Sequence, residues 1–274
     1  LKESAGKLLI KGGIIADDIG LGKTASMICH IVNQLETDKK NQDSYYCNNL
    51  IILPPRLMRQ WENEFEQFVK VPLDILVVNT MRDIKNNKQT DLKHYDVVLV
   101  CKSLLSNLGY KDYIALMGDS NDYLNIFNIK WNRIILDEAH ELLTAGLWSL
   151  QEIRSQINEY LPVHEIPFAD DYTHQICKIK SNFRWCISAT PYSHGINSLA
   201  GILRFLLEPY AWDLISQELN ETNYSGIIKT IAAKHITMQR FNSIDNELTD
   251  FEKSIATPEI LAPIETLATF YHNY

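Results

Sequence analysis

The run GGIIADDIGLGKT at positions 12–24 constrains the fold of this chain more than any other stretch. Residues 12–16 read as a buried strand, and residues 24–36 carry Met27, Ile28, Ile31, Val32 and Leu35 at helical spacing. Between them lies a turn holding Gly20 and Gly22, followed by Lys23 and Thr24. Strand, glycine turn and helix opened by Gly-Lys-Thr form the context of a phosphate-binding loop, G-x-x-x-x-G-K-[ST]. The glycines let backbone N–H groups converge on phosphate oxygens, and the helix start adds positive partial charge. In that reading Lys23 reaches the β- and γ-phosphates and the Thr24 hydroxyl ligates Mg²⁺. The pattern departs in one place: Asp17 stands where the first glycine belongs. The plain alternative is a solvated Lys-Thr pair at a helix cap.

The remainder alternates short apolar runs with amphipathic segments, the signature of an α/β fold with a mostly parallel sheet. Expected strands are 50–55 (ending in Pro54-Pro55), 74–78, 96–100, 131–140 (ending in acidic residues) and 183–191; expected helices are 56–69 and 196–209. Residues 106–130 and 149–182 exceed an ordinary strand–helix connection and read as insertions carrying helical pieces. KNNK at 85–88 reads as a solvated loop, and the pattern beyond about residue 210 becomes helical.

The second chemical signal is ILDEAH at 135–140, an acid pair closing an apolar strand. Attack of water on a γ-phosphate needs a metal holder and a group that orients or deprotonates the water. Asp137 suits the first task, holding Mg²⁺ through a water, and Glu138 the second. An acidic turn after a strand is the alternative, weakened by the phosphate-loop pattern upstream.

Taken together these segments resemble the Snf2-like branch of superfamily 2 helicases. DDIGLGKT is similar to that branch's D-E-x-G-x-G-K-T first motif, so Asp17 is a family variant and Asp18 replaces the usual glutamate. IILPPRLMRQWENEF (51–65) resembles motif Ia, YDVVLVCKSLL (95–105) motif Ib, WNRIILDEAH (131–140) motif II and FRWCISATPYSHGINSLAGILRFLLEP (183–209) motif III with its following helix. The tryptophan lead-ins and RFLLEP are closest to the Rad5/Rad16-like subgroup, and HITMQRFNS (235–243) is faintly similar to the arginine segment that closes the first lobe. The departures are Ser188-Ala189-Thr190 for Thr-Gly-Thr, Tyr192-Ser193-His194-Gly195 for a hydrophobic-Gln-Asn sequence, and ELLTAG after the acidic motif.

The resemblance implies a three-layer RecA-like lobe over residues 1–240, with 241–274 as the start of a further segment. It implies ATP and Mg²⁺ as ligands, cradled by Asp17, Asp18, Ile19, Gly20, Leu21, Gly22, Lys23, Thr24 and Ala25, with Thr24 and Asp137 on the metal. Lys23, Asp137 and Glu138 carry catalysis, and His140, Ser188, Ala189 and Thr190 couple it to motif III. Pro55, Arg56, Lys102 and Ser103 are the expected contacts to duplex DNA, with ordinary solvated charge as the alternative for Arg56 and Lys102. A second RecA-like lobe supplying arginines is implied, and nothing after residue 240 has room for it, so a fragment or one lobe of a split motor is expected. The location implied is the nucleus in a eukaryotic host, otherwise an intracellular or viral setting.

Net charge of −8 counts against a self-sufficient nucleic-acid binder and confines contacts to a local patch or backbone amides. Five scattered cysteines form no C-x-x-C pair, which excludes a zinc ribbon or RING insertion and points to a reducing compartment. No apolar run is long enough to span a bilayer. Trp61, Trp131 and Trp185 read as packing residues or as base-stacking platforms. Two rivals remain: a DEAH-type RNA or DNA helicase lobe, favoured by Ser188-Ala189-Thr190, and a non-catalytic nucleotide-binding interaction module.

Overall fold

Leu50–Leu53 and Val97–Cys101 are uninterrupted apolar runs, the pattern of strands covered by helices on both faces. In the computed structural model both are wholly buried in neighbouring interior strands of a seven-stranded sheet. The structure describes residues 12–40, 47–118, 120–143, 171–191, 196–207 and 236–237. The strands are β1 (Gly12–Ile15), β2 (Cys47–Leu53), β3 (Ile75–Val78), β4 (Val97–Cys101), β5 (Trp131–Asp137), β6 (Ser181–Ile187) and β7 (Ile236–Thr237). Their spatial order is β3-β4-β2-β5-β6-β1-β7, and every pairing is parallel. Edge strand β3 alternates half-buried and buried residues, whereas β4 and β5 are buried throughout. The expected α/β architecture with a parallel sheet is the one observed.

The helices are α1 (Lys23–Lys40), α2 (Met58–Phe68), α3 (Met81–Asn86), α4 (Lys102–Leu105), α5 (Leu108–Met117), α6 (Ala139–Leu143), α7 (Asp171–Lys178) and α8 (Ile196–Leu206). Helix α1 buries Met27, Ile28, Ile31 and Leu35, the stripe its spacing predicts. Helix α2 buries Met58, Trp61 and Phe65, and begins later than expected. Pro55 at the first position of a 3₁₀ turn, Pro55–Leu57, delays the α-helix to Met58. A second departure falls at 85–88, where Lys85 and Asn86 complete α3 instead of lying in a loop. Lys85 sits 5.1 Å over the Tyr113 ring, and Lys88 pairs with Asp122.

Residues 106–130 contain the expected helical piece, α5, started by Asn107 and ended at Gly118. The segment is packed into the core, because Tyr110, Tyr123, Leu124 and Ile126 are fully buried. The Tyr110 hydroxyl donates to the Leu124 carbonyl and accepts from the Ile126 amide, both at 3.0 Å, which satisfies an otherwise costly buried polar group. Strand β6 starts at Ser181, two residues before the expected boundary, since α7 and a short turn lead into it. Most of the expected 149–182 insertion, Ser193-His194-Gly195, the end of the 196–209 helix and the 241–274 segment lie outside the described residues.

Two features fix β1 beside β6. Gly12 has φ 140°, and a Cβ there would meet the Arg184 carbonyl oxygen at 1.7 Å. Arg184 is itself buried; its guanidinium donates to the carbonyls of Cys177, Ile179 and Phe205, joining β6 to the ends of α7 and α8. All seven strands run the same way, so the turns after β1, β2, β4, β5 and β6 emerge on one rim, where ligands of open α/β sheets bind.

Candidate nucleotide site

The turn after β1 bends back through two residues with positive φ, Gly20 at 86° and Gly22 at 76°. Side chains seldom adopt that region, so glycine allows the backbone amides to curl inward. The Leu21 amide donates to the Asp18 carbonyl at 3.3 Å, closing the turn. Lys23 folds back over it, its Nζ donating to the carbonyls of Asp17 and Asp18 at 2.7 and 2.9 Å. Asp17 is buried and Asp18 exposed. The amine is thus parked on the loop at the mouth of the site.

Across from the loop, β5 ends at Asp137, and Glu138 takes φ 50°, the left-handed region rarely occupied by a residue with a side chain. That conformation costs about 1 kcal/mol and turns the glutamate toward the loop. It is held by two bonds: the Glu138 amide donates to Asp137 Oδ1 at 2.9 Å, and the Glu138 carbonyl accepts from the Glu141 amide at 2.8 Å. The other oxygen, Asp137 Oδ2, accepts the indole N–H of Trp61 at 2.7 Å. Burial raises the Asp137 pKa, opposed by the Trp61 bond and the Glu138 amide. Burial also raises that of Glu138, against the pull of the Arg56 guanidinium 3.7 Å away.

A cavity of about 400 Å³ lies between these elements. Ile19, Gly20, Gly22, Lys23, Thr24 and Ala25 line one side, Asp137 and Glu138 another, and Ile187 and Ala189 the end of β6. The amine at 23 and the acid pair therefore open onto one space of ligand size. Helix α2 supplies a wall absent from the sequence expectation, formed by Gln60, Glu64, Gln67 and Phe68. A larger cleft of about 810 Å³ lies on the other flank of α2 against β3 and contains Pro55 but none of the phosphate-loop or acid residues. Lining chemistry, more than size, makes the smaller space the candidate nucleotide site.

Motif III meets motif II through side chains. His140 Nδ1 lies 2.8 Å from Ser188 Oγ and 3.4 Å from Glu138 Oε2, and Ser188 Oγ accepts the Thr190 amide at 3.1 Å. The Ser188 amide in turn donates to the Ile15 carbonyl at 3.0 Å, tying β6 to the end of β1. The four residues expected to touch nucleic acid lie outside the cavity lining, at the ends of β2 and β4, with Arg56 reaching within 3.7 Å of Glu138. Arg56 forms a two-pronged pair with Glu141 (3.0 and 2.6 Å), and Lys102 Nζ donates to the Glu141 carbonyl at 2.8 Å. Ser103 Oγ lies 3.0 Å from Cys101 Sγ.

Sequence reasoning missed Trp61 and Glu141 as members of this site. The one available signal for the α2 wall is a polar stripe, Gln60, Glu64 and Gln67, flanking the buried Met58, Trp61 and Phe65. Trp131 is buried as expected, its Nε1 donating to the Ile126 carbonyl, and Trp185 packs edge-on against His30. Among the described residues no group of His, Cys, Asp and Glu has the arrangement of a metal-binding cluster, and no helix is long and apolar enough to cross a membrane.

A mostly parallel α/β sheet with a glycine loop and acid pair at its carboxyl rim defines a phosphate-loop nucleotide-binding class. Residues 7–155, more than half of the chain, match the SNF2-related domain family, and the chain belongs to that family. It is 26% identical over 219 residues to an uncharacterised ATP-dependent helicase of Schizosaccharomyces pombe, covering 76% of this chain and 18% of that protein. It is 27% identical over 255 residues to DNA repair protein RAD5B of Arabidopsis thaliana, covering 82% and 17%. Among solved structures, the Sulfolobus solfataricus SWI2/SNF2 ATPase core in complex with dsDNA superimposes with a TM-score of 0.54 at 19% identity. That match covers 85% of this chain and 41% of the other, and shows the RecA-like fold. The chain thus spans less than a fifth of these curated relatives' length.

Proposed function

We propose that this chain is the ATP-binding lobe of a duplex-DNA-dependent ATPase that couples hydrolysis to translocation, of the chromatin-remodelling or DNA-repair type. The observation that carries the reading is the single cavity bounded by Lys23 and Thr24 on one side and Asp137 and Glu138 on the other. Lys23 leaves the Asp17 and Asp18 carbonyls to meet the β- and γ-phosphates, and the amides of the Gly20–Gly22 turn close around them. The donor set fits Mg²⁺: Thr24 offers a hydroxyl, and each Asp137 oxygen keeps acceptor capacity for a metal-bound water beside the hydrogen bond it already accepts. The metal, when bound, neutralises charge on the phosphates. Glu138 orients the attacking water, and His140 with Ser188 carries its state to the end of β6.

Residues 1–240 then form the first lobe and 241–274 lead away from it. A second RecA-like lobe supplies the arginine that completes the site, and the working location is the nucleus. The tests are nucleotide binding and turnover in two variants. Lys23→Ala is expected to lower nucleotide affinity and turnover about 100-fold or more. Glu138→Gln is expected to keep binding within about threefold and lose about 10²–10⁴ in rate. Unaltered turnover in either variant overturns the assignment. Stimulation by single-stranded RNA and not by duplex DNA favours the DEAH-type alternative, to which the Ser188–His140 contact is equally suited.

A further inference from the structure

Arg56 and Lys102, read from the sequence as DNA contacts, are both bound to one residue in α6, the helix that begins directly after Glu138. Arg56 spends its guanidinium fork on the Glu141 carboxylate, with its Nη2 also 3.7 Å from Glu138 Oε1. Lys102 holds the Glu141 backbone carbonyl. Glu141 therefore draws together the ends of three adjacent strands, β4, β2 and β5. The arginine hydrogen bond lowers the Glu141 pKa and keeps the carboxylate ionised.

We propose that Glu141 is a positioning residue that competes with DNA phosphate for Arg56 and so reports phosphate binding to Glu138. The inference rests on the proposed function, since it takes Glu138 as the water-orienting acid and duplex DNA as the ligand. A guanidinium fork engages a carboxylate or a phosphate in the same two-pronged way, and the Nη1–Nη2 pair that holds Glu141 does not serve both at once. Just over half of the Arg56 side chain is exposed, at 54%, so a phosphate reaches it from solvent. When the phosphate takes the fork, Arg56 leaves Glu141 and withdraws positive charge from the Glu138 carboxylate. Lys102 keeps the α6 backbone in place during the exchange, because it grips a main-chain carbonyl. The nucleotide site thereby senses whether the DNA edge is occupied.

The test is fluorescence anisotropy of a labelled duplex of about 20 base pairs, long enough to span two helical turns. It is titrated with the 274-residue chain with and without a non-hydrolysable ATP analogue. Glu141→Gln removes the competing anion and is expected to tighten duplex binding about two- to fivefold, the scale of a partly exposed ion pair. The gain disappears in the Arg56→Gln background. Nucleotide and duplex cease to alter each other's affinity in Glu141→Gln and in Arg56→Gln, whereas Glu141→Asp, which keeps the anion, retains the mutual effect. Arg56→Gln leaves α6 unmutated, so the loss of mutual effect is read even if Glu141→Gln fails to fold. A wild-type chain that binds duplex while Glu141→Gln binds equally or more weakly overturns the inference and leaves the proposed function standing. Absence of duplex binding in wild type and Glu141→Gln alike overturns the inference, which places the phosphate contact on this chain's own Arg56, and leaves the nucleotide assignment to the Lys23→Ala and Glu138→Gln variants.

Discussion

Trp61 shows how much one hydrogen bond decides at the scale of a residue. Its ring is fully buried, as a packing residue should be, yet its N–H fixes one oxygen of Asp137 while the Glu138 amide fixes the other. The carboxylate plane is thereby fixed. Trp61→Phe keeps the aromatic volume and removes only the donor. We expect the Mg²⁺ concentration for half-maximal nucleotide binding to rise about tenfold, as with other groups that orient metal ligands, with thermal stability lowered by only about 1 kcal/mol. Magnesium titration of the variant checks both. Lys23, Thr24, Asp137 and Glu138 were legible because local spacing encodes them: a glycine turn before a helix, an acid pair after a strand. The Trp61–Asp137 bond joins residues far apart in sequence and leaves no local pattern, so a tryptophan on an apolar helix face reads only as core. Arg56 and Lys102 were legible as cations following β2 and β4, but their common partner Glu141 was not.

At the scale of elements, capping chemistry decided where the sequence expectation failed. Helix α3 is short, and what starts it is Asp83, whose Oδ2 accepts from the amides of Asn79 and Thr80 and from the Thr80 hydroxyl. Burial alone would raise the Asp83 pKa, but these donors outweigh it and the net shift is downward. A depressed pKa in the folded state means the contribution is complete above the ordinary aspartate value and is lost as pH falls through the folded value. Asp83→Asn is expected to cost about 0.5–1 kcal/mol at neutral pH and to match wild type in strongly acidic solution, measured as urea midpoints at both pH values. The Thr-x-x-Asp arrangement at 80–83 was present in the sequence; it is a weaker version of the Ser/Thr-x-x-Glu box and was obscured by the polar residues after it. Strands fared better. Buried runs such as Leu50–Leu53 have few alternatives in a chain of this length, whereas the buried tyrosines of 106–130 follow no period.

For the molecule as a whole, β1 is the point of greatest sensitivity. It is four residues long, and Gly12 lies against the Arg184 carbonyl so closely that a methyl group does not fit. Gly12→Ala is expected to force β1 away from β6, lowering stability by about 2–4 kcal/mol and weakening nucleotide binding through the displaced loop. Calorimetry and a nucleotide titration separate the two effects. Arg184→Met removes the donor shared by three buried carbonyls and is expected to cost about 3 kcal/mol, read from the urea midpoint, while leaving the loop sequence intact. The parallel sheet was within reach of the sequence, because strands alternate with helical segments along it. The β1–β7 pairing was not, because a two-residue strand carries almost no pattern.

That last pairing has a mechanical meaning. Ile14 and Ile15 are in register with Ile236 and Thr237, so the strand feeding the glycine turn is clamped between β6 and the described chain's most distant segment. A tug transmitted through Thr237 is delivered one residue from Ala16, where the backbone leaves the sheet for the glycine turn.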